Sequence, residues 1–232
     1  MSIQSTVLNF FLKKFVKNTK PSPDEYSYQD MRDLMNDSFE MGEKNFIEKL
    51  IIKSTFANKR SSIKSTETIL DGIRTLKITR DDSQKEKCIL YFHGGGYIAG
   101  SPETHLNLLK EIYNNSKITI YAIDYSLSPE SKFPLALNEA VRSYTALRDL
   151  GYQANNIIIG GDSAGGNLSL VCTLKLQENN QETPSKLFLL SPWTDLTASG
   201  KSIESNSISD PYLSYDDFQL TKKSMKKVAE TW

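Results

Sequence analysis

Ile157-Ile158-Ile159-Gly160-Gly161-Asp162-Ser163-Ala164-Gly165-Gly166-Asn167 is the stretch whose reading decides the fold of this chain. The isoleucine run is of strand type, the glycines interrupt it, and a helical pattern is expected from about residue 167 to 178. A glycine-flanked serine at a strand-to-helix junction has the form of a nucleophile elbow, whose strained turn lifts the hydroxyl above the sheet. Glycines flank such a serine because neighbouring backbone approaches where a Cβ would clash. Gly-x-Ser-x-Gly alone arises often by chance; the strand before it and the helix after it give it weight.

A second motif lies upstream, His93-Gly94-Gly95-Gly96-Tyr97, at the end of the apolar run Cys88-Ile89-Leu90-Tyr91-Phe92. In acyl transfer the substrate carbonyl oxygen becomes an oxyanion, and preorganised backbone N–H groups must point at it; losing one such donor costs roughly 3–4 kcal/mol. A glycine loop supplies donors with no side chain in the way, and the amide after the nucleophile, here Ala164, adds another. The alternatives are a plain glycine-rich strand exit or a phosphate loop. Neither Gly-x-x-x-x-Gly-Lys-Ser/Thr nor Gly-x-Gly-x-x-Gly occurs, so a nucleotide-binding loop lacks its signature.

With these two motifs, together with Asp124-Tyr125-Ser126-Leu127-Ser128-Pro129-Glu130 and Ser191-Pro192-Trp193-Thr194-Asp195-Leu196, the chain resembles the hormone-sensitive-lipase-like branch of the α/β-hydrolase esterases. The resemblance runs from about Leu76 onward. It implies Ser163 as nucleophile and an oxyanion hole drawn from Gly94, Gly95, Gly96 and Ala164, with Gly95 and Gly96 as the favoured loop donors. His93, Asp162 and Asp195 are structural residues on the same reading. Where the family usually has arginine this chain has Ser126, a departure expected to weaken a structural charge contact and to leave the chemistry untouched.

What the chain lacks matters as much. Hydrolases of this fold run serine, then acid, then histidine along the sequence, and the histidine must reach the hydroxyl because a free serine is a poor nucleophile. The two histidines here, His93 and His105, both precede Ser163. Strands are expected over 88–92, 118–123, 157–160 and 187–190, after a hairpin around 68–79, with helices over 103–115, 135–150 and 167–178. That alternation gives an α/β, doubly wound, mostly parallel sheet. By resemblance the family's last two strands, which carry the acid and the histidine, have no counterpart, and the chain reads as stopping inside a cap segment at the helix-like stretch 215–232.

The expected organisation is N-terminal cap helices over 1–60, an α/β-hydrolase core over 61–199 and the start of a second cap segment over 200–232. Val7, Leu8, Phe11, Leu12 and Phe15 share one helical face, which fails as a signal peptide and is read as packed cap, like the apolar positions of a second helical stretch over 30–52. The polar run 54–68 is the expected linker between cap and core. Balanced charge, 28 basic against 28 acidic residues, favours no nucleic acid and no anionic membrane. No apolar run approaches the length needed for stable membrane insertion. Cys88 and Cys172 read as buried free thiols, consistent with a cytoplasmic location, and no metal or cofactor is expected.

The primary functional expectation is a carboxylic-ester hydrolase acting on a small-molecule ester of short to medium acyl chain, weak in this form because acid and histidine are missing. The rival is a non-catalytic small-molecule binding protein, as plant gibberellin receptors are within the same resemblance; an inactive truncated remnant is a third. An apolar sheet edge at 187–190 would invite a homodimer.

Overall fold

The computed structural model describes residues 63–210 other than 198 and 208, together with 29, 32, 33 and 35–37. The stripe from Val7 to Phe15, the stretch 215–232 and most of the expected cap helix over 30–52 lie outside the described residues. The chain divides into two compact units, Arg32–Thr194 and a second drawn from its two ends.

The first unit is built on a sheet of six strands, in the order β1-β2-β4-β3-β5-β6. Strands β1 (Lys64–Leu70) and β2 (Ile73–Thr79) form an antiparallel hairpin. Its two-residue turn, Asp71-Gly72, has φ of 45° and 78°, the left-handed pair that matches the strands' twist. The hairpin starts earlier than the sequence suggests. Residues 64–68, expected as linker, pair with β2 from Lys64↔Thr79 to Thr68↔Thr75. Their polar side chains stay in solvent because β1 is a sheet edge, so a polar run there is compatible with strand.

Strand β2 pairs antiparallel with β4 (Ile118–Ile123), while β3 (Gln84–Phe92), β4, β5 (Ile157–Asp162) and β6 (Lys186–Leu190) are mutually parallel where they pair. Helix α1 (Leu106–Ser116) follows β3, α2 (Leu135–Asp149) follows β4 and α3 (Ser163–Glu178) follows β5. The first begins later than the expected residue 103, because Ser101 and Thr104 hydroxyls accept each other's backbone N–H (2.9 and 3.3 Å) and hold a turn there. The third begins earlier than expected, at Ser163 itself. Gly165 and Gly166, poor helix formers, sit inside it because a Cβ on Gly165 would strike Phe92 O of β3 and one on Gly166 would lie 2.8 Å from Pro192 Cβ.

Strand alternation divides the interior into two layers. Cys88, Leu90 and Phe92 of β3 pack with Ala140, Tyr144 and Leu147 of α2 and Leu168, Cys172 and Leu176 of α3. Ile89 and Tyr91 turn the other way, to Leu109 and Tyr113 of α1. Helices on both faces explain why the central strands are apolar at consecutive positions. Burial raises both cysteine thiols to about 12, as expected of unreactive free thiols. Among the described residues, no helix is long and apolar enough to cross a membrane.

In the second unit, Asp195 is a turn-forming carboxylate. Its Oδ1 accepts Thr197 N–H (2.9 Å) and hydroxyl (2.5 Å), and its Oδ2 accepts Ser199 N–H (2.8 Å) and hydroxyl (2.7 Å), just before α4 (Lys201–Ser205). These hydrogen bonds, Thr197 first, hold it far below the usual carboxylate range.

Leu90 is fully buried in the middle of β3. Leu90→Ala is expected to lower stability by about 2–5 kcal/mol, read as a reduced urea midpoint at an unchanged slope.

Candidate functional site

The winding of the sheet places the site. From β3 the chain moves to β4 on one side, then crosses to β5 on the other. The carboxyl ends of β3 and β5 therefore flank a topological switch point, where open α/β sheets leave a crevice. The two strands are neighbours with Phe92 opposite Gly161. The next residue of each, His93 and Asp162, is thereby brought side by side, and the two glycine motifs meet although some seventy residues separate them.

Ser163 is the first residue of α3 and has φ of 49°, the left-handed region that costs a non-glycine residue about 1–2 kcal/mol. Strand β5 delivers extended backbone up to Asp162 (φ −112°, ψ 148°), and the chain reverses at the serine. A Cβ on Gly161 would lie 2.5 Å from Phe92 O and the Gly165 carbonyl; one on Gly165 would collide with Phe92 O. The turn is this sharp only because neither position has a side chain. The Ser163 carbonyl accepts Trp193 N–H (2.9 Å), fixing the far side of the turn. Ala164 N–H, in the first turn of α3, has no intrahelical acceptor.

The other half of the site is the turn after β3. Ile98 N–H and Ala99 N–H donate to Gly95 O (3.1 and 3.0 Å), and Gly95 has φ of 121°. A Cβ there would strike Ala99 O, so only glycine closes this turn. Gly94 N–H donates to Asp162 Oδ1 (2.9 Å). That amide is committed to a carboxylate, which leaves Gly95, Gly96 and Ala164 as candidate oxyanion donors.

Asp162 is the tie between the halves. Its Oδ1 also accepts the Tyr91 hydroxyl (2.7 Å), and its Oδ2 lies 3.3 Å from His105 Nε2. Burial acts to raise its pKa, but His105, Tyr91 and the Gly94 amide together outweigh that and hold it below the ordinary value. Both histidines are occupied by the scaffold. His105 is buried, and its Nδ1 faces Thr104 Oγ1 (2.9 Å) and Ser101 O (3.2 Å). His93 stacks on Tyr125 (centroids 4.2 Å apart), whose hydroxyl donates to His93 O (2.7 Å). His93 Nδ1 lies 2.7 Å from Gly94 O, and since a carbonyl only accepts, Nδ1 carries the proton.

Several contacts at the site are not visible in the sequence. Tyr97, itself at φ 63°, donates its hydroxyl to Asn167 Oδ1 (2.7 Å) and so ties the glycine loop to α3. Glu139 of α2 accepts both the Ser126 N–H (2.7 Å) and its hydroxyl (2.8 Å), so the serine that replaces the family's usual arginine still holds a polar contact. Arg32 and Asn36 reach the same loops from far upstream. No motif marks them; pairing partners so distant in sequence leave no periodic signal. Among the described residues, no three His, Cys, Asp or Glu side chains group as metal ligands.

Burial pushes the His93 pKa down to about 4 from 6.5, against the smaller upward pull of the Gly94 carbonyl. The unfolded chain therefore binds a proton that the folded chain refuses between those values, so stability falls as pH drops through the window. The loss amounts to about 3 kcal/mol by pH 4. Denaturant unfolding at a series of pH values should show this slope, and His93→Gln should flatten it.

Comparison with known proteins agrees with this geometry. Residues 89–231 match the family model described as alpha/beta hydrolase fold. The chain is 35% identical over 150 residues to an esterase of Acinetobacter venetianus, covering 65% of this chain and 49% of that protein. The chain thus spans about half the length of that curated relative. A crystal structure of an esterase from the bacterial hormone-sensitive lipase family superposes with a TM-score of 0.80 at 25% identity, covering 97% of this chain and 70% of that one. The EstE5 structure soaked with p-nitrophenyl butyrate gives a TM-score of 0.79 at 26% identity, with 97% and 70% covered. With the elbow, the glycine turn and the sheet order already in place, the chain belongs to the hormone-sensitive-lipase-like family of the α/β-hydrolase fold.

Proposed function

We propose that this chain carries the nucleophile and oxyanion half of a carboxylic-ester hydrolase acting on short to medium acyl esters. The observation that carries the reading is Ser163 at φ 49° on the β5–α3 turn, with the glycine loop tied to that same turn through Asp162. Ser163 Oγ adds to the ester carbonyl carbon, and its proton leaves with the alcohol. Gly95, Gly96 and Ala164 N–H groups hold the oxyanion as it forms. Water then adds to the acyl-serine, releases the carboxylic acid and restores the hydroxyl. Gly94 acts indirectly, since its N–H anchors the loop to Asp162.

The general base is the missing part within these 232 residues. Both histidines precede Ser163 and both are engaged by scaffold groups. Loss of the histidine from such a triad costs on the order of 10⁶ in turnover, so only slow acylation of Ser163 by an activated ester is expected. The residues over 1–60 and 200–232 are proposed as parts of a cap over the ester.

The test is hydrolysis of p-nitrophenyl butyrate by the 232-residue chain beside its Ser163→Ala variant. Expected is slow release, near the detection limit, that Ser163→Ala abolishes. Fast turnover that depends on Ser163 would show that a base is present after all. Release indifferent to Ser163→Ala, alongside tight binding of a small ligand, would favour the non-catalytic binding reading.

A further inference from the structure

Arg32 lies far outside both glycine motifs, yet its guanidinium is anchored at four points on the loops that carry them. Nε donates to Ile98 O (2.6 Å). One terminal nitrogen donates to Glu130 Oε1 (2.7 Å), and the other to Ser128 O (2.6 Å) and Glu130 Oε2 (2.6 Å). The side chain of Arg32 is only 19% exposed. Ile98 is buried, and its own N–H closes the turn onto Gly95 O. The guanidinium therefore grips the back of the turn that presents Gly95 and Gly96. Its other three anchors lie on the turn after β4, which is already joined to the glycine loop by Ser128 N–H donating to Tyr97 O (2.8 Å). One helical turn on, Asn36 Oδ1 accepts Gly100 N–H (3.1 Å), a second fastening of the same loop to the same segment.

We propose that Arg32 is a positioning residue for the oxyanion loop: its planar fork locks the turn at Gly95–Ala99 to the turn at Ser128–Glu130. This rests on the ester-hydrolase reading above. The chemistry suits arginine and not lysine. Two backbone carbonyls and a bidentate carboxylate are met at once by donors in fixed directions, which a single ammonium cannot span. The two carbonyls matter most, since hydrogen bonds from a charged donor to buried backbone are stronger than an exposed ion pair. Glu130, whose side chain is 60% exposed, orients the fork more than it adds stability.

Amide hydrogen exchange of the 232-residue chain, read residue by residue in NMR spectra, tests this for Arg32→Ala and Arg32→Lys. Expected in both is exchange faster by at least about tenfold at residues 95–101 and at Ser128, Glu130 and Ser131, with Leu90 and Ile159 unchanged. Millimolar free guanidinium should restore protection in Arg32→Ala and leave Arg32→Lys as it is. In the residual hydrolysis of p-nitrophenyl butyrate, kcat should fall in Arg32→Ala at unchanged KM. Exchange at wild-type rates in the loop would overturn the proposal. So would equal acceleration at Leu90 and Ile159, which marks general destabilisation, or no recovery with guanidinium. Ser163→Ala judges the hydrolase reading separately, because the exchange rates do not depend on turnover.

Discussion

A half-buried carboxylate governs how the site is assembled. Asp162 stands between the strand that ends β5 and the serine that begins α3, so anything it binds is registered against that serine. Its Oδ1 takes the Gly94 amide and the Tyr91 hydroxyl, both from β3 or just beyond it, and Oδ2 faces His105 on the approach to α1. A carboxylate withdrawn this far from water is costly unless donors meet its oxygens. Here donors from three chain segments meet it, and its solvation requirement becomes the force that gathers them. The glycine loop has few side chains with which to hold itself, and this acceptor fixes its Gly94 end against the serine.

The same economy runs through the neighbouring polar groups. His93 is held as a neutral ring by its burial and uses its proton on the adjacent carbonyl, while its face lies flat on Tyr125. Tyr125 in turn donates to the His93 carbonyl, closing a small ring of contacts in which the backbone is satisfied by aromatic hydroxyls. Neither histidine is available as a mobile proton carrier in this arrangement. Their role is to give a side-chain-poor loop a rigid floor, which supports the proposal that backbone amides are its working groups.

Much of this architecture is legible in the amino-acid sequence. The isoleucine run and the flanking glycines locate β5 and the elbow, because only a strand-to-helix turn of that tightness needs glycine on both sides of a serine. Strand β4 falls at its expected bounds because its residues, Thr119 apart, are isoleucine, tyrosine and alanine in one unbroken run. The misplacements have physical causes. Residues 64–68 pair as an exposed edge strand, where composition carries no strand signal. Helix α3 starts at Ser163 because close packing of Gly165 on Phe92 and of Gly166 on Pro192 overrides their low helix propensity. Arg32, Asn36 and Tyr91 escape a sequence reading as site residues for one shared reason: their partners are distant along the chain, and a single long-range hydrogen bond leaves no pattern to read.

The parallel ladder of β3 and β5 carries one more consequence, for how such a chain can change over time. Phe92 sits opposite Gly161, so loop and elbow emerge at the same height. Side chains alternate faces along a strand, so deleting one residue between Cys88 and Phe92 would do two things at once. It would exchange the two interior layers and shift the glycine loop by about 3.3 Å against the serine. Length variation in descendants of this chain is therefore confined to places such as residues 180–185, between α3 and β6, where the backbone is free of that ladder. The spacing inside each motif is protected by sheet geometry, whatever the surrounding segments become.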